Sequence, residues 1–94
     1  MSFAISGQKT ITSAGTEEAL GTQVINGALL VKALPGNTST VYVGRAADGT
    51  LTSTSGVALA AGDVVVFEWV SSLTAILVDA AVNGEGVSWL VLRA

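Results

Sequence analysis

Val64-Val65-Val66-Phe67-Glu68-Trp69-Val70 is the stretch on which the fold turns, with Gly62-Asp63 standing just before it. A short run rich in β-branched and aromatic residues, bounded by turn formers, reads as a β-strand. Side chains alternate across a strand, so Glu68 marks the wet face and takes Val64, Val66 and Val70 with it. Val65, Phe67 and Trp69 are then expected to face a core. The face of Glu68 is nevertheless apolar at its other positions. A strand of this kind needs cover on both sides.

Working outward, the same grammar recurs. Strands are expected over Lys9–Ser13, Ala28–Leu34, Thr40–Val43, Val64–Val70, Ala75–Asp79 and Val87–Arg93, with weaker ones at Glu18–Leu20, Thr50–Ser53 and Val57–Leu59. No window carries the i, i+3, i+4, i+7 stripe of a long amphipathic helix. In the Ala28 strand Lys32 points outward with Ala28, Leu30 and Leu34, leaving Leu29, Val31 and Ala33 inside. In the last strand Arg93 shares a face with Val87, Trp89 and Val91, while Leu90 and Leu92 take the other. If Arg93 marks solvent, Trp89 is exposed or lies in an interface.

The turns have stated mechanisms. Leu34-Pro35-Gly36-Asn37 has the order of a type II turn. Asp48-Gly49 and Asn83-Gly84 tolerate positive φ. Asn83-Gly84-Glu85-Gly86 is expected to join the last two strands as a hairpin loop, and Ala61-Gly62-Asp63 to lead into the Val64 strand. Many short strands with turns between them predict a single all-β domain over residues 1–94, an antiparallel sandwich or barrel. Residues 1–8, with Phe3 and Ile5, read either as the first strand or as an arm that joins a neighbour's sheet.

Composition limits the function. Of 94 residues, 50% are hydrophobic and 12% charged, and the net charge is −3. A domain this small has one core and limited capacity to bury surface. With no cysteine and no histidine, neither a disulfide nor an ordinary zinc or iron–sulfur site can help it. Lys9, Lys32, Arg45 and Arg93 are dispersed, which argues against nucleic acid as a partner. The N-terminus lacks the pattern of a secretory signal, and the longest uncharged apolar stretch, Trp69–Val78, is far short of a membrane span. The absence of cysteine fits a cytosolic origin. Met1 reads as an initiator and the chain as a complete small protein.

Reactive chemistry is not expected. Without histidine the usual catalytic triad is excluded, and neither Lys9 nor Lys32 has a companion motif that would activate it. Glu17 and Glu18 are adjacent and face opposite ways on a strand. Asp79 and Glu85 flank a turn and could approach each other as a carboxylate pair, the plainer reading being two solvated acids near a loop. Asp79, Asn83 and Glu85 lack calcium-loop spacing, and Gly84-Glu85-Gly86 opens a strand rather than a helix, so it does not cradle phosphate. No catalytic residue, cofactor or metal is expected. Tyr42, between the core-type Val41 and Val43, points outward and is a single aromatic platform for a glycan.

The surplus apolar surface has two readings. One is a sandwich closed by a loop laid over it; the other is a protein interface, for which Phe3, Ile5, Leu30, Leu34, Tyr42, Val64, Val66, Val70 and Trp89 are the candidates. A resemblance bears on this choice. A leader with Gly15-Thr16 inside Thr12–Leu20 comes first. Then follow Pro35-Gly36-Asn37-Thr38, Val41-Tyr42-Val43-Gly44, Leu59-Ala60-Ala61-Gly62-Asp63, Leu77-Val78-Asp79, Val82-Asn83-Gly84-Glu85-Gly86-Val87 and Trp89. In that order, over Gln8–Leu90, these are similar to a group of small virion proteins of tailed bacteriophages. The resemblance implies a jelly-roll-like β-sandwich on the phage particle. Its implied role is a head decoration, or cement, protein: a homotrimer clamping major capsid protein subunits, made in the host cytoplasm. It transfers no catalytic or ligand residues. Alternatives are a tail, neck or fibre-associated structural protein, or a glycan-binding module on the virion surface.

Overall fold

The computed structural model describes residues 5–52 and 55–93, apart from the side chain of Asp48. Eight strands follow one another: β1 (Ser6–Thr10), β2 (Glu18–Ala19), β3 (Val24–Ala33), β4 (Val41–Arg45), β5 (Val57–Leu59), β6 (Val64–Ser72), β7 (Ile76–Ala80) and β8 (Gly86–Arg93). The only helical pieces among the described residues are two 3-10 turns, Ala46–Asp48 and Leu73–Ala75.

The pairing is nested. β1 pairs with β8, β2 with β7, β3 with β6 and β4 with β5, all antiparallel. The chain is thus one long hairpin folded over on itself. Pairings of β3 with β8 and of β4 with β7 close it into two four-stranded sheets, ordered β1-β8-β3-β6 and β2-β7-β4-β5. That order defines a jelly roll, and the expectation of an all-β sandwich holds. Between the sheets lie Ile11, Leu29, Val31, Val41, Val43, Val78 and Val87, all at most 1% exposed. Each such side chain contributes roughly 1.5–3 kcal/mol by leaving water.

Several local expectations change. Ser6, Gly7 and Gln8 pair with Leu90, Trp89 and Ser88 of the same chain, so they belong to the first strand. Thr50–Thr52 form no strand; Ser53 lies outside the described residues. The turn after β3 is closed by Asn37 N–H donating to the Leu34 carbonyl at 3.0 Å, but Gly36 does not take the positive φ of a type II turn. Asn37 is held instead by a two-way amide bond to Gly86, at 2.9 and 3.3 Å. The Asn83-Gly84-Glu85 segment is a tight turn with Gly84 at φ 84°. It is not a hairpin loop, because β7 and β8 lie in different sheets and the turn carries the chain from one to the other.

The strict two-residue alternation also fails, for a physical reason. Register shifts interrupt β3 against β6 twice and β3 against β8 once. Gly27 pairs with Val70 and Leu29 with Phe67, so β6 holds an extra residue there. Glu68 and Trp69 are both exposed at that bulge, and Val70 turns inward to 5% exposure. Val70 is therefore a core residue and not an interface candidate, and Trp69, expected inside, is 65% exposed. On β8 the extra residue falls between Val91 and Arg93. Arg93 lies beyond that bulge and does not report the strand's parity. Val87 and Val91 face the core, Trp89 is half-buried against it, and Leu90 and Leu92 point outward, the reverse of the expectation. Ala28, expected outside, is buried.

Candidate docking face

The register of the first sheet assembles its outer face row by row. Ser6, Leu90, Leu30 and Val66 lie side by side across the four strands. Gln8, Ser88, Lys32 and Val64 form the next row. Leu92 extends the apolar area beyond Leu90. Val64, Val66 and Leu92 are each about half exposed and Leu90 is 40% exposed. Among the described residues nothing covers them. The second sheet is treated differently: its outer face carries Tyr42 and Asp79, and the loop around Gly15 lies over Asp79. A loop thus lies over part of the second sheet, while among the described residues the apolar outer face of the first is open to water.

A bare aliphatic face costs solubility and is uncommon on monomers when contiguous. Its polar members sit within and at the ends of the rows: Lys32 beside Val64, Glu68 at the bulge, and Ser6, Gln8 and Ser88 toward β1. An apolar centre with a sparse polar rim is the anatomy of a protein-binding surface. The face also ends at an edge strand, β6, which among the described residues pairs only with β3. There Trp69 borders a groove of about 290 Å³ shared with Arg45, Phe67 and Ile76.

Of the candidates read from the sequence, Leu30, Val64 and Val66 are brought together here. Ile5 is half-buried against the core, and its carbonyl accepts from Val91 N–H at 2.8 Å. Leu34 is half-buried at the end of β3, bonded through its N–H to the Gly86 carbonyl. Tyr42 is half-buried on the opposite sheet. Trp89 faces inward, its ring laid against Gly7, and Val70 is in the core. Phe3 lies outside the described residues. Leu90, Leu92 and Trp69 were not legible as surface. The one available signal was Asn26-Gly27 inside a strand, a pair that marks bulges.

The acids tie loops together. Asp79 Oδ1 accepts from Gly15 N–H at 3.0 Å and Ala80 N–H at 2.7 Å. Glu85 accepts from both the hydroxyl and the N–H of Thr38, at 2.6 Å each, and from Ser39 N–H at 3.1 Å. The Thr38 hydroxyl and then its N–H hold the Glu85 carboxyl below the usual range. Glu18 takes the Lys9 ammonium at 2.8 Å and Thr12 N–H, and the Lys9 contact lowers its pKa most. Glu17 accepts from Leu51 N–H. Asp79 and Glu85 serve different loops, and neither is the solvated acid expected. Among the described residues no three acids gather as a metal site, and none of the helical pieces is long and apolar enough to cross a membrane.

Fold and face together define a jelly-roll sandwich with one bare aliphatic face. Comparison with protein families, with curated proteins and with solved structures found no match.

Proposed function

We propose that this chain is a structural virion protein, a capsid decoration protein that binds across neighbouring major capsid protein subunits and associates with copies of itself. The observation that carries the reading is the aliphatic outer face built from Leu30, Val64, Val66, Leu90 and Leu92. The ordered turn-and-strand motifs that resemble small phage virion proteins support it. So does a residue inventory without histidine or cysteine, which suits a protein whose work is contact rather than reaction.

The mechanism is linkage. Apolar area that leaves water on docking contributes roughly 25 cal/mol per Å² before the costs of association. A ligand that binds the closed shell and not the parted subunits raises the free energy of parting them. Repeated over many copies, a modest affinity holds a shell against internal pressure.

The test is co-sedimentation of purified protein with capsid shells of the encoding phage. Wild-type protein is expected to pellet with the shells. Val66→Glu and Leu90→Glu are expected to stay folded, because both side chains already face water, and to lose most of the binding. A wild-type protein that remains in the supernatant, or a Val66→Glu protein that pellets equally well, overturns the reading.

A further inference from the structure

The geometry points to a second site on the opposite sheet, a cleft that takes one ring of a neutral polyhydroxylated ligand, a glycan residue. The cleft measures about 490 Å³ and is lined by Ala14, Gly15, Tyr42, Thr50, Asp79 and Ala81 among others. Tyr42 and Asp79 are directly paired across β4 and β7, so their side chains leave the same face side by side.

Asp79 is the informative group. It is only 6% exposed, yet both of its hydrogen bonds go to one oxygen, Oδ1. Among the described residues Oδ2 has no protein partner. It is not sealed off either, since among the described residues no buried side-chain oxygen is left unbonded, and Asp79 lines the cleft. A nearly buried carboxylate therefore offers one free acceptor to whatever enters. The Tyr42 phenol likewise has no protein partner among the described residues and adds a donor and acceptor beside it.

The walls are fixed in advance. Asn83 Oδ1 accepts from Ala14 N–H at 2.7 Å, Asp79 Oδ1 accepts from Gly15 N–H, and Glu17 accepts from the N–H of Leu51, another lining residue. Such preorganisation lowers the ordering cost of binding. The chemistry selects the ligand class. A calcium ion would need six to eight oxygens, and among the described residues lining the cleft Asp79 is the one acid. What the cleft offers is a carboxylate oxygen for a hydroxyl, a phenol, and an apolar surface of Tyr42, Ala14 and Ala81. Those complement the hydroxyls and the C–H face of a pyranose. The aliphatic face lies on the other sheet, so a protein docked by that face leaves this cleft open.

The experiment is amide-resolved NMR of labelled protein titrated to tens of millimolar with the methyl glycosides of glucose, galactose, mannose and N-acetylglucosamine. The expected result is saturable shifts at Gly15, Tyr42, Asp79 and Ala81 with at least one of them. Affinity should fall by about tenfold or more, the loss of one good contact, in Tyr42→Ala and remain in Val66→Glu. Tyr42→Phe, which keeps the ring, should retain an intermediate affinity. Retention on a polysaccharide column in addition identifies a surface glycan, and shifts with methyl glycosides alone a free sugar; both uphold the site. No saturable shift at these amides with any probe, or unchanged affinity in Tyr42→Ala, overturns it. Capsid binding is read with Val66→Glu and sugar binding with Tyr42→Ala, so either reading can fail without the other.

Discussion

At the scale of single residues, close approach decides more than composition does. A Cβ on Gly86 would stand 2.0 Å from the Lys9 carbonyl oxygen and 2.7 Å from Thr10 Cα, both of them backbone. Backbone cannot swing aside as a side-chain end can. Gly86→Ala is expected to cost about 1–3 kcal/mol or more by overpacking, a fall in Tm of roughly 5–20 °C for a domain of this size. Gly36 supplies the contrast, with nothing near its would-be Cβ and no positive φ. Gly36→Ala should leave Tm unchanged or raise it slightly, by restricting the unfolded chain. Thermal melts of the two variants side by side check the argument. A Gly86→Ala protein as stable as wild type would mean that β1 and β8 do not meet as described.

At the scale of elements, bulges determine which side chains reach water. Asn26 sits at φ 45° where β3 slips against β6. The left-handed region costs an ordinary L-residue about 1–2 kcal/mol, and a β-branched one most. Asn26→Val is therefore expected to lower stability by about that amount, and Asn26→Gly to be near neutral. Denaturant titration of both variants measures it. The same bulges explain the misreading of β6 and β8. Alternation counted from Glu68 holds back to Val64, where Val64 and Val66 do face out. It fails forward, because Glu68 and Trp69 occupy one bulge. Counted from Arg93 it fails along the whole of β8, because the marker lies past the irregularity. Lys32, in the regular part of β3, reported its face correctly for Leu29, Leu30, Val31 and Ala33, though not for Ala28 beside the bulge.

At the scale of the whole molecule, the carboxylates act as clasps between the loops that close the ends of the sandwich. Glu85 joins the β7–β8 turn to the β3–β4 turn, and Glu18 joins β2 to β1 and to the start of the β1–β2 loop. The folded pKa of each lies below the ordinary carboxylate value of 4.5. The unfolded chain then binds protons more readily than the folded one in that window. Stability from these groups is complete above pH 4.5 and is lost as pH falls through the lower folded values. Glu85→Gln and Glu18→Gln should each lower Tm at neutral pH and flatten its decline on acidification. Melts at neutral pH and below the ordinary carboxylate pKa test this. A decline as steep as that of wild type would remove these two groups from the account.

Local sequence was enough to read a small all-β domain with turns at Pro35-Gly36, Gly62 and Gly84, no histidine or cysteine chemistry, and more apolar strand surface than one core needs. Those properties are local: β-branched runs, turn residues and missing side-chain types act where they stand. Only tertiary structure placed much of the surplus on the outer face of the first sheet, with Leu90, Leu92 and Trp69 exposed, Val70 in the core and Trp89 half-buried against it. Facing is a property of register between strands distant in sequence, and one extra residue in a ladder reverses it. The pairing of Tyr42 with Asp79 has the same origin, since only the nested hairpin brings β4 beside β7.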